Sequence, residues 1–168
     1  MSSFEVAIVM GSDSDLEVMS EAAEVLREFG VSAELQVLSA HRSPELVREF
    51  VSTAKERGFK VIIAGAGGAA HLAGAIAAQT TLPVIGVPIN STPLNGFDAL
   101  LATVQMPAGI PVATVAVGKS GARNAGILAV QMLALSNPSL VKKLEDFKKR
   151  LADGVREKNA KIKSQRPK

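Results

Sequence analysis

The sequence predicts an α/β domain built on an open, mostly parallel sheet of five strands. Three observations carry this. Apolar runs of strand length alternate with segments of helical period, the pattern of successive βαβ units. The first, third, fourth and fifth runs are nearly continuous in Val, Ile and Ala, so both faces of those strands are expected under helices. The chain's 168 residues hold five such units, too few for an eight-stranded barrel. That length also predicts a single domain spanning 1–168. Its main sheet unit runs over about 4–136, a C-terminal helix over about 139–160, and a basic tail on to 168.

In chain order, "FEVAIVM" (4–10) reads as the first strand. "SDLEVMSEAAEVLREFG" (14–30) follows as an amphipathic helix, with Leu16, Met19, Ala23 and Leu26 on its apolar face and Gly30 as its stop. Leu16 is thereby expected in the core. "SAELQVL" (32–38) is the second strand. In "SPELVREFVSTAKERG" (43–58), Ser43 suits the N-cap, Pro44 the first turn and Gly58 the end. "KVIIAG" (60–65) is the third strand and "AAHLAGAIAAQT" (69–80) a short helix of small residues. "PVIGVP" (83–88), "GFDALLATVQM" (96–106), "PVATVAVG" (111–118) and "GARNAGILAVQMLAL" (121–135) complete the alternation. After "SNPS" the pattern changes. Leu140, Leu144, Phe147, Leu151 and Val155 form one stripe among Lys and Arg, which predicts an amphipathic helix added to a finished sheet. That stripe covers its own domain or packs on another subunit. With the Ala- and Gly-rich segments 64–79 and 121–134, it favours a homo-oligomer.

The charge is unevenly placed. Residues 1–139 hold 8 Lys/Arg against 12 Asp/Glu, net −4; residues 140–168 hold 11 against 4, net +7; together they make the chain's +3. The basic character therefore belongs to the C-terminal segment. With no Trp and no Tyr to stack on bases, a nucleic-acid partner is not expected. There is no cysteine and there are two histidines, so no metal site is expected either. The apolar run of "MSSFEVAIVMGSDSD" has no basic region ahead of it and ends in acids, and no stretch has the length of a membrane span. A cytoplasmic protein without a membrane partner is the expectation.

In open parallel sheets, ligands bind outside the carboxyl ends of the strands. Strand one is followed by "GSDSD" (11–15), a glycine turn with hydroxyls and carboxylates at a helix start. These are ordinary caps, or they hold a sugar phosphate: hydroxyls and N–H groups on the phosphate, a carboxylate on the ribose. Strand two is followed by Ser39, Ala40, His41 and Arg42. Arginine grips phosphate through its planar fork, and histidine is the commonest acid/base near neutrality. A lone histidine is also often structural. Strand three is followed by "GAGGAAH" (65–71), which formally matches a dinucleotide fingerprint. It sits after the wrong strand, with no acid in the next one, and fails. What remains is a run of small residues that a ligand or another subunit can approach closely, with His71 at its rim. His71 is equally a helix-start residue packed in an interface. "PINSTPLNG" (88–96) lines or covers the site. "GKS" (118–120) fails as a triphosphate loop because residue 113 is Ala. A phosphorelay receiver fails because strand three ends in Ala64-Gly65-Ala66, with no Asp to phosphorylate. A flavin site would want more aromatics.

Taken together, "GSDSD", "SAHRSP", "AGAGGAAHL", "LPVIGVP" and "VQMPAGIPVATVAVG…GARNAGILAVQML" closely resemble the phosphoribosylaminoimidazole carboxylase catalytic-subunit family of purine biosynthesis. They look most like its class I branch, the N5-carboxyaminoimidazole ribonucleotide mutases. The resemblance runs from about Val6 to Leu135. It implies a flavodoxin-like three-layer sandwich, an octamer with shared active sites, and a ribonucleotide substrate. It implies no metal and no organic cofactor. Carried over by motif, Ser12, Asp15 and Arg42 bind the ribose phosphate, with Gly11, Asp13, Ser39, Ala40 and Leu72 beside them. His41 is the acid/base, and His71, also catalytic, lies with Gly67 and Gly68 where the carboxylate and base sit. Many class I members have Trp where this chain has Leu16. The class II branch, which uses free CO2, typically differs after the histidine, so "SAHRSP" favours the mutase; a non-catalytic sugar-phosphate module is the other alternative.

Overall fold

The computed structural model describes residues 4–164. Twelve elements alternate as β1 (Val6–Met10), a 3-10 turn (Asp13–Asp15), α1 (Leu16–Phe29), β2 (Ala33–Val37), α2 (Pro44–Ala54), β3 (Val61–Gly67), α3 (Leu72–Ala77), β4 (Val84–Ile89), α4 (Phe97–Val104), β5 (Ala113–Thr114), α5 (Lys119–Ala134) and α6 (Pro138–Ser164). The sheet order is β2-β1-β3-β4-β5, and every pairing is parallel. This is the flavodoxin-like order, with its switch point between β1 and β3.

The strand pleat sorts the core into two layers. Val6, Ile8 and Met10 of β1, Val61 and Ile63 of β3, and Ile85, Val87 and Ile89 of β4 meet α1 and α5 on one face. Ala7 and Val9, Ile62 and Ala64, and Val84 meet α2 and α3 on the other. β1 and β4 are buried throughout, as the continuous apolar runs predict. β2 is an edge strand and is only partly buried.

α1 ends as expected, at Gly30 in the left-handed region (φ 74°), where its N–H donates to the Leu26 and Arg27 carbonyls. Its inner face is Met19, Ala22, Val25, Leu26 and Phe29. Leu16 is not in the core. It opens the helix and is 48% exposed, one turn short of the sheet face on which Met19 lands.

β5 is shorter than the eight residues expected. Val115 donates to Gly86 and Gly118 to Pro88, so three steps along the β5 side run against two along β4. That mismatch is a bulge, and it ends the regular ladder after Thr114.

α6 extends the helix expected over 139–160 to Pro138–Ser164, and the tail beyond lies outside the described residues. Leu140 is buried, and Leu144 and Phe147 pack against the α1/α5 layer. Phe147 meets Phe29 edge to face at 5.7 Å. The Lys143 ammonium donates to the Phe29 carbonyl at 2.6 Å, a cation at the C-terminal end of α1. The stripe then leaves its own domain: Leu151 is 52% and Val155 58% exposed.

Candidate active site

The carboxyl ends of β1, β2, β3 and β4 surround a cleft of about 280 Å³. It sits at the switch point, because the chain leaves β1 for one sheet face and leaves β2 and β3 for the other. α2 and α3 therefore lie on the same face, and their N-terminal loops face one another.

The β1 loop contributes Gly11, Ser12, Ser14 and Asp15. Ser12 caps the 3-10 turn. Its hydroxyl accepts from the Ser14 N–H at 3.4 Å, and its own N–H donates to Asp15 Oδ2 at 3.2 Å. Asp15 is buried at the cleft floor. Burial pushes its carboxyl above the usual aspartate value, against the opposing pull of the Ser12 N–H and the Arg42 guanidinium. Asp13, expected among the substrate-binding residues, does not line the cleft. Its carboxylate is used within its own turn, accepting from the Ser12 hydroxyl and the Ser14 N–H, each at 3.1 Å.

The β2 loop contributes Ser39, Ala40, His41 and Arg42. Ser39 and Ser43 knit it into a tight turn. The Ser43 hydroxyl donates to the Ser39 carbonyl at 3.1 Å and accepts from the Ser39 N–H at 3.2 Å. Ser43 stands at the N-cap of α2 but makes no cap bond to the helix, because its hydroxyl is spent on this turn. The Ser39 hydroxyl accepts from the Arg42 N–H at 3.1 Å. Arg42 Nη2 donates to the Gly11 carbonyl at 2.8 Å, which ties the β2 loop to the β1 loop. Among the described residues no carboxylate forms an ion pair with Arg42.

The end of β3, the loop after it and the start of α3 contribute Ala66, Gly67, Ala69, His71 and Leu72. Gly68, expected here, does not line the cleft. It takes the left-handed region (φ 59°) and turns the chain, which is a backbone role. His71 stands just ahead of α3 without capping it. Its Nδ1 is 2.8 Å from His41 Nε2, with the rings nearly perpendicular at 84°. Either ring can donate, but one of the two facing nitrogens must be an acceptor. The pair thus holds one proton on the line between the rings and loses its bond when both facing nitrogens carry one.

From the β4 loop only Ser91 lines the cleft. Ser14, Ala66, Ala69 and Ser91 complete the lining without having been singled out in the sequence. Ser14 lies within the marked "GSDSD" stretch, and Ala66 and Ala69 carry no polar signal. Ser91 shares its loop with Asn90, Thr92 and Asn95, any of which could have faced the site. Lys119 and Arg123 of "GKSGARN" stay outside it and pair from α5 with α1: Lys119 with Glu17 at 2.5 Å and Arg123 with Glu21 at 3.0 Å. No group of three His, Cys, Asp or Glu side chains among the described residues is placed to hold a metal ion.

Fold and site define an α/β protein with a hydrogen-bonded histidine pair in a cleft at a topological switch point. The comparisons agree with that class. The AIR carboxylase family model matches residues 5–154, so the chain belongs to that family. It is 54% identical to an N5-carboxyaminoimidazole ribonucleotide mutase of Thermotoga maritima, over 91% of this chain and 88% of the relative. It is 57% identical to one of Bacillus subtilis, over 84% and 87% respectively. A solved structure of PurE from Treponema denticola superposes with a TM-score of 0.85 at 26% identity, covering 94% of this chain and 98% of that one.

Proposed function

We propose that this chain is an isomerase of purine biosynthesis. It converts N5-carboxyaminoimidazole ribonucleotide to 4-carboxy-5-aminoimidazole ribonucleotide. The observation that carries the reading is the His41–His71 pair, held in the cleft beside Arg42, with which no carboxylate among the described residues forms an ion pair. The relatives' names support the same reaction.

Arg42 and the Ser12 turn hold the ribose phosphate, and Asp15 takes the ribose hydroxyls. His41 gives a proton to N5 as the N5–carboxyl bond breaks. The bonding pair goes to nitrogen, and CO2 is released within the cleft. C4 of the imidazole then attacks CO2, and His41 takes the C4 proton. One group that gives and then takes a proton serves both steps, and His71 holds its ring. Keeping CO2 beside the ring makes the second step effectively intramolecular. The reaction needs no metal or organic cofactor.

We further read the protein as a cytoplasmic homo-oligomer, an octamer by resemblance. Leu94, Phe97, Leu101 and Val104 make an exposed apolar face on and beside α4, and Leu151 and Val155 one on α6. No helix among the described residues is long and apolar enough to cross a membrane. An assay of the purified protein on N5-carboxyaminoimidazole ribonucleotide, with and without added bicarbonate, tests the function. Turnover without bicarbonate supports the mutase. Carboxylation of aminoimidazole ribonucleotide that rises with CO2 would replace it with the class II activity. Binding without turnover would leave a sugar-phosphate module.

A further inference from the structure

Two hydroxyls lining the cleft, those of Ser14 and Ser91, make no hydrogen bond to the protein among the described residues. Ser14 belongs to the phosphate side. Ser91 stands on the opposite wall, against the run of small residues. A Cβ built on Gly67 would overlap the Ser91 hydroxyl outright and come within 2.8 Å of the Ser91 Cβ and 3.1 Å of the Ile89 carbonyl. The Ser91 side chain therefore lies directly over the bare Gly67 backbone. It occupies the space that any other residue at 67 would fill.

That placement is built into the loop. Ser91 N–H donates to the Ile89 carbonyl at 3.1 Å. The next residue, Thr92, is pinned: its hydroxyl donates to Asp98 Oδ2 at 2.7 Å and accepts from the Leu94 N–H at 3.2 Å. The Thr92 bond holds the Asp98 carboxyl below its usual value. Asn95 (φ 52°) and Gly96 (φ 84°) then turn the chain back into α4. A hydroxyl with no partner among the described residues, seated over a glycine four residues before His71, thus shares the cleft with the histidine pair and can take a small polar group there.

We propose that Ser91 retains the carboxyl group during its transfer. Its hydroxyl donates to the substrate carboxylate, and then to an oxygen of CO2 between the breaking of the N5–C bond and the forming of the C4–C bond. This rests on the mutase reading. Ser91 exchanges no proton; it positions the migrating group and closes its exit.

The test follows ¹³C in the substrate carboxyl, with unlabelled bicarbonate in the medium. Each turnover ends either in 4-carboxy-5-aminoimidazole ribonucleotide or in released aminoimidazole ribonucleotide plus CO2. Ser91→Ala is expected to keep cleaving the N5–carboxyl bond while the ratio of release to transfer rises about 2- to 13-fold, the range of one net hydrogen bond. Ser91→Thr, which keeps the hydroxyl, is expected to restore transfer. Gly67→Ala, which displaces the Ser91 side chain, is expected to leak as Ser91→Ala does. Circular dichroism checks that each variant is folded. An unchanged ratio in folded Ser91→Ala, or a Ser91→Thr as leaky as Ser91→Ala, overturns the proposal alone. A wild-type protein that makes no carboxylated product overturns the functional reading, and this proposal with it.

Discussion

Replacing His71 by Phe separates its role from that of His41. The phenyl ring preserves the edge-to-face packing, seen at 4.9 Å between ring centroids, and removes only the 2.8 Å hydrogen bond. Both histidines are exposed, so His41 Nε2 turns to water and is not left unsatisfied. The loss is then that of one net hydrogen bond, about 0.5–1.5 kcal/mol, or about 2- to 13-fold in kcat. Loss of a general acid/base group costs about 10²- to 10⁴-fold, the expectation for His41→Asn. The double variant should be no slower than His41→Asn alone, because a residue acting only through His41 has nothing left to hold. Steady-state kcat on the three variants, with thermal melts to confirm folding, reads all of this. If His71→Phe loses more than about a hundredfold, or the double variant falls well below His41→Asn, then His71 carries chemistry of its own. Near-full activity in His41→Asn would remove the acid/base assignment.

Arg42→Met is expected to raise KM by about 13- to 160-fold, the range of a hydrogen bond to a charged group, with a smaller change in kcat; a kcat loss at constant KM would contradict its role as anchor. Asp15→Asn separates binding from stability. Burial raises the folded-state pKa of Asp15, so the folded protein binds that proton more tightly than the unfolded chain. Stability therefore falls as pH rises from the ordinary value of 3.8 through the folded value, and the penalty is constant above it. The Asn variant keeps an acceptor for the Ser12 N–H and carries no charge. Denaturation at about pH 7 should find it at least as stable as the wild type, with the advantage shrinking on acidification, while substrate affinity drops. Gly126→Ala probes the α1–α5 packing, since its Cβ would come within 2.9 Å of the Ala22 carbonyl and of the Val25 Cβ. Overpacking against backbone costs about 1–3 kcal/mol, against a helix-propensity gain of about 1 kcal/mol. A melt showing net stabilisation would mean that the helices separate easily.

Much of the fold is legible in the sequence because burial on both faces writes itself into composition. β1 and β4 are buried at every position and read as unbroken apolar runs. The failures lie where periodicity carries no information. Leu16 fits the α1 stripe by spacing, but it opens the helix where the 3-10 turn hands over to α1, and there its side chain is left exposed. The run 111–118 reads as one strand, yet the bulge that stops the β5 ladder is a matter of backbone register. The outer half of the α6 stripe is as periodic as the inner half, and spacing cannot tell where the neighbouring surface ends.

The site follows the same division. Residue type and loop position are enough to nominate His41, Arg42 and His71 separately, but nothing in the sequence brings residues 41 and 71 within one hydrogen bond. The strand order does that. β2 and β3 flank β1, yet the helices that follow them pack side by side on one face, so two loops from non-adjacent strands meet over the end of β1. The β1 loop then has to stay low. Gly11 does so, and its carbonyl is free to receive Arg42 from the side. The same constraint separates Asp15 from Asp13. The 3-10 turn points one carboxylate down to the Ser12 N–H at the cleft floor and leaves the other on the outer rim. Two acids one residue apart in "GSDSD" are equivalent as letters, and the turn places one at the cleft floor and keeps the other for its own hydrogen bonds.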